Sequence, residues 1–191
     1  ATIWGGKIET PTPMLFVLGA IVVFLFGGLT GPPNATVSVD LHLHDTYFIV
    51  GHFHDTIFGG FVFPFFAAIY YWFPKATGRR MNEFWGKVWA ITIFIGFNMT
   101  FFVQLVMGSQ GSPRRYYNYL SEFQIHHQIS TIGLGLLALG LFGALINLIV
   151  SLKSGEKASQ NPWGALTLEW KEAETPPVLF NFKETPVVTH G

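Results

Sequence analysis

The stretch Gly51-His52-Phe53-His54-Asp55 places three titratable side chains in the middle of a long apolar run. A charged group at the centre of a bilayer costs roughly 2.5–3.5 kcal/mol for Asp on insertion scales, so something must offset it. On a helix, His52 and His54 are two residues and roughly 200° apart. Rings that leave opposite sides of one helix cannot chelate a single ion, which needs i,i+3 or i,i+4 spacing. They suit two metal centres, one on each side. The same pair could equally line a pore or hydrogen-bond between helices, and the spacing alone leaves both readings open. Gly51 removes a side chain where a flat macrocycle could lie close. Asp55 projects roughly 60° short of the His52 face. It is expected to be protonated or hydrogen-bonded to a neighbouring helix.

The elements that must position these residues are membrane spans. Of 191 residues, 50% are hydrophobic and only 12% charged, half the share of about 25% usual in soluble domains. Four segments are apolar over the roughly 20 residues needed to cross a bilayer: 13–31, 46–74, 83–108 and 127–153. Residues 1–153 therefore read as a four-helix transmembrane segment of an all-α membrane protein. Glycines at 133, 135, 140 and 143 in the fourth span would let helices approach closely. The part from 154 to 191, rich in Pro, Glu and Lys, reads as an extended surface tail.

Charge sets the expected orientation. Lys7, Lys75, Arg79, Arg80, Lys153 and Lys157 fall on loops that share one side, which marks it as cytoplasmic or matrix-facing. The tail and both termini belong to that side. Net charge is zero, so there is no electrostatic case for a nucleic-acid partner. Cysteine is absent, which excludes disulfides, thiolate metal sites and cysteine nucleophiles. The opening "ATIWGGKIET" carries neither an initiator Met nor a signal-peptide pattern, and the chain reads as part of something longer.

"LHDTYFIVGHFH" (43–54) resembles a signature of subunit I of haem–copper oxygen reductases, the cytochrome c and quinol oxidases. "GFNMTFF" (96–102), "GSPRRYYNY" (111–119), "ISTIG" and "LEW" (168–170) resemble further blocks of the same family, in order along nearly the whole chain. The resemblance implies the last four helices of the subunit I bundle. It makes His52 the proximal ligand of the high-spin haem and the candidate catalytic residue. His54 becomes one axial ligand of the low-spin haem. His44 and Asp45 correspond to residues of a magnesium site above the haems, although Asp45 could instead, or also, cap the helix that follows. Arg114 and Arg115 resemble the pair that holds haem propionates, for which the planar guanidinium fork is suited. Eight residues from His44 to His52 at 1.5 Å each would set the high-spin iron roughly 12 Å below that face.

The implied cofactors are two haems of a-type, copper whose ligands are not in this chain, and magnesium. The implied partners are the upstream portion of subunit I, carrying the copper ligands and second haem ligand, together with subunits II and III. Cytochrome c or a quinol would be the electron donor, and the setting would be a bacterial, archaeal or inner mitochondrial membrane. The implied activity is reduction of oxygen to water coupled to proton translocation. Nitric oxide reduction, a non-catalytic structural subunit and a histidine-lined transporter are the alternatives; the His44–Asp45 motif favours oxygen. Two departures stand out. Asp55 and Thr56 follow the H-F-H motif where the family has an aromatic and an apolar residue. "FFVQLV" (101–106) lacks the Pro and His that usually surround its Gln. His126 and His127 are read as interfacial residues, not ligands.

Overall fold

The computed structural model describes residues 4–182 and 184–187. Those residues form helices α1 (Thr12–Ala35), α2 (Val37–Leu43), α3 (Tyr47–Ile57), α4 (Phe63–Thr77), α5 (Glu83–Ser109), α6 (Gln124–Ser154) and α7 (Leu168–Lys171). A π-helical turn, Phe58–Val62, joins α3 to α4, and a 3-10 turn, Ser121–Phe123, leads into α6. Four candidate membrane spans result: Thr12–Ala35, Tyr47–Thr77, Glu83–Ser109 and Ser121–Ser154. Against the expected 13–31, 46–74, 83–108 and 127–153, the first of these helices ends four residues later and the fourth starts six residues earlier.

The π turn lies just before Pro64. A proline has no N–H for the carbonyl one turn back, and a wider turn accommodates that gap. Gly59 in the same turn sits against the backbone of Phe24 on α1, so the irregularity also brings two helices into contact. Two prolines, Pro32 and Pro33, lie inside the last turn of α1. They do not end it; the Thr36 N–H reaches back to their carbonyls and closes the helix. The short α2 follows directly after it.

Helices α1, α4 and α5 meet around a core of aromatic rings. Phe16, Phe63 and Phe97 are fully or almost fully buried, and Phe16 stacks on Phe66 at 5.4 Å between ring centres. The longest contact runs between α5 and α6. There Gly133 lies against the backbone of Thr100, and Gly140 against Ile93. On the outward side of α6, Ile132, Leu139, Phe142 and Ile146 are exposed, as suits a surface that meets acyl chains.

At the end that carries the loop between α4 and α5, the tail does more than run along the surface. Trp170 of α7 is fully buried. The Lys75 ammonium donates to Ala173 O, Glu174 O and Thr175 Oγ1 at 2.9–3.0 Å. Tail residues 183 and 188–191, like residues 1–3, lie outside the described residues.

Candidate functional site

The Thr46 hydroxyl caps α3 by accepting from the Phe48 N–H at 3.2 Å. The capping function considered for Asp45 therefore belongs to its neighbour. His44 and Asp45 lie before the first turn of α3, so the helical rise to His52 starts at Tyr47. Five residues give about 7.5 Å rather than 12 Å.

His52 turns toward α1. Its Nδ1 lies 2.9 Å from Thr30 Oγ1. The Thr30 hydroxyl is within 2.8 Å of Phe26 O and 3.1 Å of Gly27 O, and it donates its proton to these carbonyls. With that proton so placed, its oxygen can accept from the ring when the imidazole proton is on His52 Nδ1. His54 turns toward α5, and its ring stacks on Phe101 with 3.9 Å between centres and 15° between planes. Its Nδ1 is 2.8 Å from Val50 O; a carbonyl only accepts, so this nitrogen carries the proton. Among the described residues neither Nε2 makes a hydrogen bond. One nitrogen tied as a donor, with the other lone pair free, is the arrangement of a metal-bound histidine. Each ring can offer a metal one donor, and the two rings lie against different helices, His52 beside α1 and His54 beside α5.

Gly51 has a different task from the one expected. A methyl group there would stand 2.7 Å from Leu105 Cγ and 2.9 Å from Phe101 O. The missing side chain makes room for α5, not for a macrocycle. Asp55 lies on the α1 side, where a methyl on Gly27 would come within 3.1 Å of its carbonyl carbon. It is only 3% exposed, and its buried Oδ2 has no hydrogen-bond partner among the described residues. The hydrogen bond to a neighbouring helix is therefore not found there.

At the end of α3 two loops cross. Thr46 and Pro113 form an isolated antiparallel bridge, and the Arg114 N–H donates to Asp45 O at 3.0 Å. The Arg114 side chain donates to Asp45 Oδ1 from Nε at 2.9 Å and from Nη2 at 2.6 Å. This hydrogen bond holds the Asp45 carboxyl below its ordinary value of 3.8, and the charges of Arg114, His44 and Arg115 lower it further. Arg114 thus already holds one carboxylate, while Arg115 is exposed. His44 Nε2 is 3.7 Å from Asp45 Oδ2. Among the described residues no three His, Asp or Glu side chains converge on one point. A divalent ion at His44 and Asp45 would need donors from outside this set, whether protein oxygens or the waters that magnesium retains. His127 packs on Tyr119 at 3.9 Å and edge-on to Tyr47. The sequence reading missed Thr30 and Phe101, which hold the two histidine rings.

Four membrane-crossing helices define an integral multi-pass membrane protein. The chain belongs to the Cytochrome C and Quinol oxidase polypeptide I family, whose model matches residues 1–137. It is similar to cytochrome c oxidase subunit 1 of a Synechocystis species, 49% identical over 190 residues, covering 100% of this chain and 34% of the relative. The same subunit of Thermostichus vulcanus is 46% identical over 191 residues, again covering 100% and 34%. That of a Bacillus species is 44% identical over 190 residues, covering 98% and 31%. The chain thus spans about a third of the length of the relatives it matches. A solved structure of a heme-copper terminal oxidase dimer shares the fold at a TM-score of 0.68 and 23% identity, covering 95% of this chain and 32% of that one.

Proposed function

We propose that this chain forms the C-terminal part of the catalytic subunit of a respiratory haem–copper oxidase. His52 binds the high-spin haem, and His54 supplies one axial ligand of the low-spin haem. The observation that carries this reading is the pair of histidine rings on the α1 and α5 sides of α3, each fixed through Nδ1, with neither Nε2 hydrogen-bonded among the described residues. Membership of the family supports it. Bound there, the haems, of a-type on this reading, would supply one-electron chemistry and, at the haem held by His52, the binding of oxygen.

The protein's own contribution is orientation. Thr30 and Val50 fix the two ring planes, and Phe101 stacks against His54. Arg115 and the Nη1 of Arg114, which makes no hydrogen bond among the described residues, remain for haem propionates, while the Asp45 pair keeps the arginine loop at the end of α3. His44 and Asp45 contribute to a magnesium site completed elsewhere. The upstream portion of subunit I supplies the copper ligands and the second low-spin ligand. Subunits II and III, and cytochrome c or a quinol, complete an enzyme that reduces oxygen to water and translocates protons. By the positive-inside rule, the end carrying Lys75, Arg79 and Arg80 faces the cytoplasm or matrix.

Single replacements separate the two roles. In the assembled complex, His52→Ala should abolish the carbon monoxide difference signal of the high-spin haem while the six-coordinate haem persists. His54→Ala should remove the six-coordinate signal and leave carbon monoxide binding. Loss of the same haem signal in both variants would refute the assignment to two centres.

A further inference from the structure

We propose that Thr30 is a positioning residue for His52. Its hydroxyl oxygen accepts the ring Nδ1–H, fixing the tautomer and plane of the imidazole and making Nε2 a stronger electron donor. The inference rests on His52 being the ligand of the high-spin haem.

Thr30 has one hydroxyl proton, and the carbonyls of Phe26 and Gly27 on its own helix take it, at 2.8 and 3.1 Å. Such back-bonding is a common local habit of threonine in helices. Here it has a second consequence, because it aims the oxygen lone pairs at the ring nitrogen 2.9 Å away. A β-branched side chain has few χ1 choices, so the acceptor is held firmly.

The spacing between the two groups is set by backbone contact. A methyl group on Gly27, within a turn of Thr30, would meet the backbone N of Thr56 at 2.8 Å. On the α3 side, the Thr56 hydroxyl donates to His52 O at 3.0 Å. Donor and acceptor are thus each pinned to a helix, and the two helices are locked together beside them.

The contrast with His54 shows what is special about Thr30. His54 Nδ1 donates to Val50 O, a carbonyl of its own helix, at 2.8 Å. The donor strength of His54 is therefore internal to α3. That of His52 depends on a side chain from a different helix, 22 residues away in sequence. Partners in this outer position typically change metal affinity or activity by about 10–100-fold when removed.

The test uses the intact oxidase carrying Thr30→Val, which keeps the shape and loses the acceptor, and Thr30→Ser, which keeps the hydroxyl. In Thr30→Val the iron–histidine stretching band of the reduced high-spin haem should move to lower wavenumber. The midpoint potential of that haem should rise, because a weaker donor favours the reduced iron. Haem transfer to an apo-acceptor should accelerate about 10–100-fold. Thr30→Ser should match the wild type, and the low-spin haem should be unchanged in both. Thr30→Ala, which adds no bulk, should shift the band as Thr30→Val does. A wild-type band and potential in either Val or Ala variant would overturn the proposal, as would an equal shift in Thr30→Ser. A five-coordinate iron–histidine band that survives in His52→Ala would instead refute the ligand assignment itself, whatever Thr30 does.

Discussion

Asp45 and Arg114 join two stretches that are far apart in sequence and adjacent at the end of α3. The Asp45 backbone takes up a left-handed conformation, with φ of 56°, which turns its carboxylate toward the Arg114 fork. Because the folded carboxyl titrates below its ordinary value of 3.8, the pair stabilises the loop at every pH above that value. The contribution falls away as pH drops below 3.8 through the lowered folded value. Hydrogen-exchange protection of the Arg114 amide, which bonds Asp45 O at 3.0 Å, should weaken over that acid range in the wild type. In Asp45→Asn it should be lower at neutral pH and lack the acid step; an unchanged acid step would assign the transition to another group. The opposed faces of His52 and His54 were legible in the sequence because the helical period converts a spacing of two into roughly 200°. Thr30 was not legible, since one threonine in an apolar run looks like any other and its partner lies on another helix. The Asp45–Arg114 pair was hidden for a similar reason: it depends on the crossing of two loops at Thr46 and Pro113, which no local pattern encodes.

The helices themselves were easier to read, because each needs only length and apolar composition to be stable in lipid. What composition could not convey was how they touch. Four glycines in α6 looked alike as sites of close approach, yet they differ in place. Gly133 faces α5, where a methyl group would stand 2.7 Å from the backbone N of Thr100. Gly135 has no atom within 4 Å of where its methyl group would lie. Gly133→Ala should therefore push α5 from α6 and destabilise the bundle by about 1–3 kcal/mol, the usual scale of overpacking. Gly135→Ala should be neutral or stabilising by up to about 1 kcal/mol, since alanine loses less backbone freedom on folding. Denaturation of the two variants in detergent checks the contrast, and equal losses would mean that α6 is rotated relative to this packing. The expected first span stops at residue 31, before Pro32 and Pro33, but the helix continues and the Thr36 N–H closes the turn that they occupy. Likewise, the π turn before Pro64 is a response to a missing donor together with the close contact at Gly59, and hydropathy registers neither.

At the scale of the whole molecule, the bundle orients more than it encloses. The exposed outer face of α6 suits lipid, whereas the two histidine rings on α3 leave their Nε2 atoms unbonded among the described residues. A low-spin haem needs two axial donors, and on the proposed reading His54 is one of them. His126 and His127 stand at the start of α6, and His127 is packed into an aromatic cluster with Tyr119 and Tyr47. His126 lies edge-on to Phe123 at 6.2 Å between ring centres. Expressed by itself in membranes, the chain should therefore insert its four spans, because each satisfies its own backbone hydrogen bonds in lipid. It should yield no six-coordinate haem spectrum, even with haem in excess. Co-expression with the upstream part of a related subunit I should restore the six-coordinate band in the wild type but not in His54→Ala. A six-coordinate spectrum from the isolated chain would mean that a second donor lies within these helices and that His54 has been assigned the wrong partner.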